Sequence, residues 1–180
     1  MAGGCASLDD PAANKAIFDK GVAAYDEKNY SQAFELFSSI DDRDLAAMRN
    51  VALMLRRGEG TAKDPKAAEE MYARAAQGGL ATAAADLGEM LLNGEAGPPD
   101  AKAAYPWLAG AAEAGHPIAE FELGTMFETG NGVPKDLAQA RKLYEAAANA
   151  GVEEAKKRLE SLPVEAAPVA APSATPAAKP

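Results

Sequence analysis

The chain has 180 residues, of which 44 are alanine and only 11 are Phe, Tyr or Trp. Alanine favours helices and is poor in strands, so a β-sandwich or barrel is excluded, and so few bulky side chains cannot fill one large central core. With 18 basic against 27 acidic residues the net charge is -9, which argues against nucleic acid as a partner because phosphate binding depends on cations.

Residues 1–12 read as a flexible arm that carries the one cysteine, Cys5. The next stretch, residues 13–40, predicts a helical pair with a shorter connection, packed through Phe18, Gly21, Tyr25, Tyr30, Ala33 and Phe37. From there the chain repeats itself at an offset of 36, a period that signals a repeat architecture. Val51, Leu87 and Leu123 share a column, as do Met54, Met90 and Met126, and Leu55, Leu91 and Phe127. Gly58, Gly94 and Gly130 follow, then Asp64, Asp100 and Asp136, Ala68, Ala104 and Ala140, and Met71, Trp107 and Leu143. The columns predict units of helix A, loop, helix B and turn at about 13–43, 44–79, 80–115 and 116–151. A capping helix over 152–162 keeps Ala155 and Leu159 in the helix A columns and is otherwise polar. Beyond it, 12 of the 18 residues from 163 to 180 are Ala or Pro, which predicts a disordered or polyproline-like tail.

Each column has a physical task. Leu87, Met90 and Leu91 fall at spacings of three and four, on one helical face, and the small Ala83 and Gly88 let a neighbouring helix come close. Gly94 and its counterparts end helix A, because a residue without Cβ takes positive φ cheaply. Asp64, Asp100 and Asp136 are placed to cap helix B, and Pro65 suits a first helical position. Helix B carries the stripe Ala140, Leu143, Ala147, and Gly79, Gly115 and Gly151 close the units. Helices of this length are marginal alone, so stacking must stabilise them. In the third unit Ala96-Gly97-Pro98-Pro99 replaces the usual loop, and Pro106 is expected to bend helix B. Trp107 is expected to pack in the core, and His116, between Gly115 and Pro117, to be an exposed turn residue.

The run Ala119-EFE-Leu123-Gly124-TM-Phe127-ET-Gly130-N-Gly132-Val133-PK-Asp136-LAQ-Ala140-RK-Leu143, followed by Ala147-Ala148 and Gly151, resembles the Sel-1-like repeat family. The opening unit, from Gly21 through GVAAYDEKNYSQAFELF, is closer to a tetratricopeptide repeat. The resemblance covers roughly residues 14–162 and implies an all-α fold, a right-handed α-α superhelix that serves as a scaffold for a protein or peptide partner. Transferring the groove positions of tetratricopeptide repeats marks Arg49, Leu53, Arg56 and Arg57 in the second unit, and Ala85, Glu89, Leu92 and Asn93 in the third. In the fourth it marks Phe121, Thr125, Glu128 and Thr129. Leu53, Leu92 and Phe121 then either receive an extended peptide or pack between neighbouring A helices, and the Arg56-Arg57 pair is suited to a partner carboxylate.

No catalytic constellation is legible. One Cys and one His cannot build an intrachain disulfide or a Cys/His zinc site, and nothing in the sequence orients His116 from two sides as a serine triad requires, so no cofactor, no metal and no catalytic residue is expected. Disulfide-rich relatives described as binding or hydrolysing β-lactams carry a cysteine pair per repeat, which makes an envelope hydrolase the lesser alternative, beside a structural tether built on the tail. Ala2-Gly3-Gly4-Cys5-Ala6-Ser7 resembles the end of a bacterial lipoprotein leader, with Cys5 as the lipidation site, although the apolar segment of such a leader is missing upstream. The expectation is a monomer with no membrane span, held in the cell envelope by a lipid anchor, with a cytoplasmic location as the alternative.

Overall fold

The computed structural model describes residues 11–163. Cys5 and residues 164–180, which carry the lipidation and tail expectations, lie outside them. The described chain is all helical and forms a right-handed solenoid. Its elements are α1 (Pro11–Asp26), α2 (Tyr30–Ser38), α3 (Leu45–Arg57), α4 (Pro65–Gln77), α5 (Ala81–Asn93), α6 (Ala101–Glu113), α7 (Pro117–Thr129), α8 (Leu137–Asn149) and α9 (Glu153–Ser161). Each helix packs chiefly on those before and after it in sequence, so the odd-numbered helices form one wall and α2, α4, α6 and α8 the other. α5 and α7 also touch directly, and side chains reach from α3 to α5, which puts the odd helices on the inner side of the curve.

The helix ends follow from single residues. Asp64, Asp100 and Asp136 accept hydrogen bonds from Ala67 N, Ala103 N and Gln139 N at 3.0, 2.9 and 2.9 Å, which satisfies one free donor at the start of each B helix. Gly58, Gly94 and Gly130 hold φ of 74, 67 and 76° and stop the A helices. A further N-cap was not anticipated: Asp44 accepts from Ala46 N and Ala47 N at the head of α3. His116 is likewise more than a turn residue, since it is half-buried and its Nδ1 accepts from Ala119 N at 3.3 Å as the N-cap of α7. α6 runs from Ala101 to Glu113 without interruption through Pro106.

Packing within a unit is a knob into a gap. A methyl built on Gly88 would come within 2.5 Å of Leu108, and one on Gly124 within 2.8 Å of Tyr144. The same column holds Ala52, which shares a core cluster with Tyr72. In the first unit the pair is Gly21 and Phe37, where an added methyl would lie 2.7 Å from the ring. Tyr72, Leu108 and Tyr144 thus form a buried column 36 residues apart that sequence reading passed over in favour of its neighbours Met71, Trp107 and Leu143. Those three are half-buried and pack against the edges of the core clusters. The core runs along the solenoid as four connected clusters rather than one centre.

Candidate functional site: the inner wall

The inner wall presents the faces of α1, α3, α5 and α7 that the stacking does not consume. Where α3 meets α5, a groove of about 490 Å³ is lined by Arg49, Leu53, Arg56, Arg57 and Glu89 of the expected set, together with Lys63, Asp86 and Glu95. Arg49 Nε donates to Asp86 Oδ2 at 2.6 Å. Arg56 serves two carboxylates of the next unit: its Nε donates to Glu95 at 2.7 Å and its Nη2 to Glu89 at 3.0 Å, and Nη2 also pairs with Glu95. Those hydrogen bonds raise Arg56 above the usual guanidinium value and hold Glu95 below the usual carboxylate value. Arg56 is therefore a rung between two units of the solenoid, a role that residue type could not reveal.

Arg57 differs from its neighbour. Its side chain is 53% exposed, its Nη1 donates to Tyr25 Oη at 3.0 Å, and it stands 3.9 Å from Glu59. Tyr25 Oη in turn donates to Glu59 Oε2 at 2.6 Å, and burial together with that carboxylate pushes the Tyr25 phenol up. Beside this cluster, between α1 and α3, lies a smaller cavity of about 170 Å³ lined by Val22, Tyr25, Phe37, Asn50, Leu53 and Met54. Leu53 lines both cavities, so the two adjoin on the inner wall, and together they are called the trough. Sequence reasoning gave Tyr25 as a packing residue, which it is, but marked neither it nor Val22 as a wall residue, because the shorter connection between α1 and α2 takes the first unit out of the 36-residue register. The signal was nevertheless present: aligning Gly21 on Ala52, by their common packing task, places Val22 opposite Leu53 and Tyr25 opposite Arg56.

Further along, the expected residues are engaged by the protein itself. Leu92 packs against the core cluster under α5 and α7, and exposed Asn93 donates to Glu95 at 3.5 Å. The Phe121 ring lies 5.6 Å from that of Tyr144, centre to centre. Thr125 Oγ1 donates to Phe121 O at 3.1 Å and lies 3.0 Å from Tyr144 Oη, which donates to Glu128 at 2.6 Å. Arg158 on α9 stands 3.5 Å from the same Glu128. All three of the apolar trio pack against core clusters, and of the three Leu53 also lines the two cavities.

Two groups on the wall lack the partner their chemistry calls for. Glu122 is half-buried and makes no ion pair among the described residues; burial and then the charge of Glu89 push it above the usual carboxylate range. Tyr72 Oη is buried beneath the trough without a hydrogen bond, close enough to Arg56 to feel its charge. No group of three or more metal-ligating side chains occurs among the described residues, and none of their helices is long and apolar enough to cross a membrane.

The profile of the Sel1 repeat matches residues 18–39, 45–80, 81–116 and 117–152, in step with the helix pairs just described. The chain belongs to the Sel1 repeat family. The Sel1 repeat protein of Oxalobacter formigenes superposes with a TM-score of 0.73 at 31% identity, over 79% of this chain and 58% of the other. A protective antigen of uropathogenic Escherichia coli with an SLR fold gives 0.76 at 23% identity, over 82% of this chain and 33% of the other. Cysteine rich protein B of Helicobacter pylori gives 0.53 at 20% identity, over 87% and 98%. This Sel1 repeat protein thus spans only part of the length of the first two. None of the curated proteins matches it. Sel1 repeats generally serve as protein–protein interaction scaffolds, and the Sel1 fold is typically non-catalytic.

Proposed function

We propose that the protein is a non-enzymatic scaffold whose inner wall captures a protein or peptide partner. The observation that carries this reading is the pair of adjoining cavities on the inner wall between Val22 and Glu95, the first lined mainly by apolar groups and the second by charged ones. Solenoids offer such extended surfaces because each unit contributes a similar strip of side chains. Arg49, Leu53, Arg56, Arg57 and Glu89 are the residues nearest the trough; Leu92, Asn93, Phe121, Thr125 and Glu128 extend the wall beyond it and shape it through their internal contacts.

A photo-crosslinking amino acid placed at Asn93 on the inner side, and another at exposed Lys142 on the outer wall, tests the reading in cells. A discrete adduct from Asn93 and none from Lys142 is the expected result; the reverse pattern moves the partner to the outer wall. Hydrolysis of a chromogenic β-lactam by the pure protein above the buffer rate would overturn the non-catalytic reading.

We also propose that Cys5 carries a lipid that holds the scaffold to the cell envelope as a monomer. What supports it is the small-residue run Ala2-Gly3-Gly4 before the cysteine. Metabolic labelling with an alkynyl fatty acid, lost in Cys5→Ser, is the expected outcome, and an unlabelled native protein would remove the anchor.

A further inference from the structure

We infer that the trough between α1 and α3 receives an extended partner segment in which a Leu- or Phe-sized side chain stands two residues from an aspartate or glutamate. This rests on the inner-wall reading and names the partner's chemistry at one place on that wall. The cavity there measures about 170 Å³, and its lining is mostly apolar, with Phe37 and Met54 fully buried behind Val22, Leu53 and the Tyr25 ring. Engineered apolar cavities of about 150 Å³ accept benzene, so the space suits one branched or aromatic side chain. Val22, at its rim, is 38% exposed, one of the few large apolar groups so exposed among the described residues. An incoming apolar side chain would cover it.

The charge of the flanking residue follows from which cations are already spent. Arg49 is engaged by Asp86, and Arg56 by Glu89 and Glu95. Arg57 gives one N–H to Tyr25 and makes only a long ion pair, 3.9 Å, with Glu59, while Lys63, which lines the neighbouring groove, feels the charge of Glu95 without an ion pair among the described residues. Glu59, the carboxylate nearest Arg57, already accepts from Tyr25. Tyr25 lines the apolar cavity and touches Arg57, so the guanidinium donors stand at the cavity mouth. In an extended chain residues i and i+2 point to the same side about 6.6 Å apart, so an apolar anchor in the cavity brings the second side chain toward those donors. A basic residue there would meet Arg57 and Lys63. An acidic residue displaced toward α7 would meet Glu89 and the unpaired Glu122. Position along the wall and sign of charge are thus set together.

Selection of random twelve-residue peptides displayed on phage, against the full chain, tests the inference without supplying the answer. The expected result is enrichment of an apolar residue followed two positions later by Asp or Glu. Affinity of the best synthetic peptide should fall about tenfold or more in both Val22→Glu and Arg57→Glu, two exposed positions whose helical signal and melting temperature serve as the folding control. Val22→Ile, with the cavity rim kept apolar, should retain binding. Enriched peptides rich in Lys or Arg, or acidic peptides indifferent to Val22→Glu and Arg57→Glu, overturn the inference. If such peptides are instead lost in Glu89→Lys, the inner wall stands and only this seat falls; if no wall substitution affects them, both fall.

Discussion

At the scale of single residues, two tyrosines in equivalent positions have opposite fates. Tyr144 Oη donates to Glu128 and pairs with Thr125, whereas Tyr72 Oη is buried without a hydrogen bond because Arg56 and Leu53 stand in the corresponding places. Removing a satisfied hydroxyl costs about 1 kcal/mol, while removing an orphan one is neutral or favourable. Tyr144→Phe should therefore lower the free energy of unfolding by about 1 kcal/mol in urea titration, and Tyr72→Phe should leave it unchanged or raise it. Glu122 provides a second test. Its folded pKa lies above the ordinary value of 4.5, so the stability it leaves intact at low pH is lost as pH rises from there through the raised folded value. Glu122→Gln should raise the melting temperature at pH 7 and have little effect near pH 3, where the glutamate is largely protonated folded or unfolded. A gain equal at both pH values would place the cause in packing, not in charge.

At the scale of elements, capping and the small-large pair decide where helices stop and how closely they pack. Asp136→Ala removes the hydrogen bond to Gln139 N and should cost about 1 kcal/mol, with α8 fraying at its head as read by amide exchange. That cap was legible from sequence, since Asp, then helix formers, is a local signal. Arg56 was not: its four hydrogen bonds reach Glu89 and Glu95 in the following unit, and only the stacking of the units brings them within reach. The proline of α6 is a similar case. Pro106 sits at an exposed position of an uninterrupted helix and lacks the N–H that would bond back to Lys102. Pro106→Ala should stabilise the protein by roughly 1–3 kcal/mol, measured by chemical denaturation.

At the scale of the whole molecule, stability is distributed along a line. Each unit packs chiefly on its neighbours, the direct α5–α7 contact among them, so the interior helices gain support from two sides and the ends from one. α9 covers the last unit: Ala155 and Leu162 join Tyr144 and Ala147 in its core cluster, and Arg158 meets Glu128. Truncation after Gly151 should expose that cluster, lower the unfolding midpoint and raise dye binding to apolar surface, with amide protection lost first in α7 and α8 and last in α3 to α5. What the sequence determined unaided was the helical class, the 36-residue period, the aspartate caps of the B helices and the glycine stops, because caps and stops depend on residues within a turn and the period shows when the chain is compared with itself. The tertiary structure alone decided which faces remain free. Stacking brings side chains of α1 and α3, and of α3 and α5, within reach of each other, and that juxtaposition turns Arg49 and Arg56 into internal rungs, leaves Arg57 with only one hydrogen bond and a long ion pair, and opens the apolar seat beside Val22. A period in one dimension records which residues stack, but the width of the gap between two stacked helices depends on every side chain that fills it.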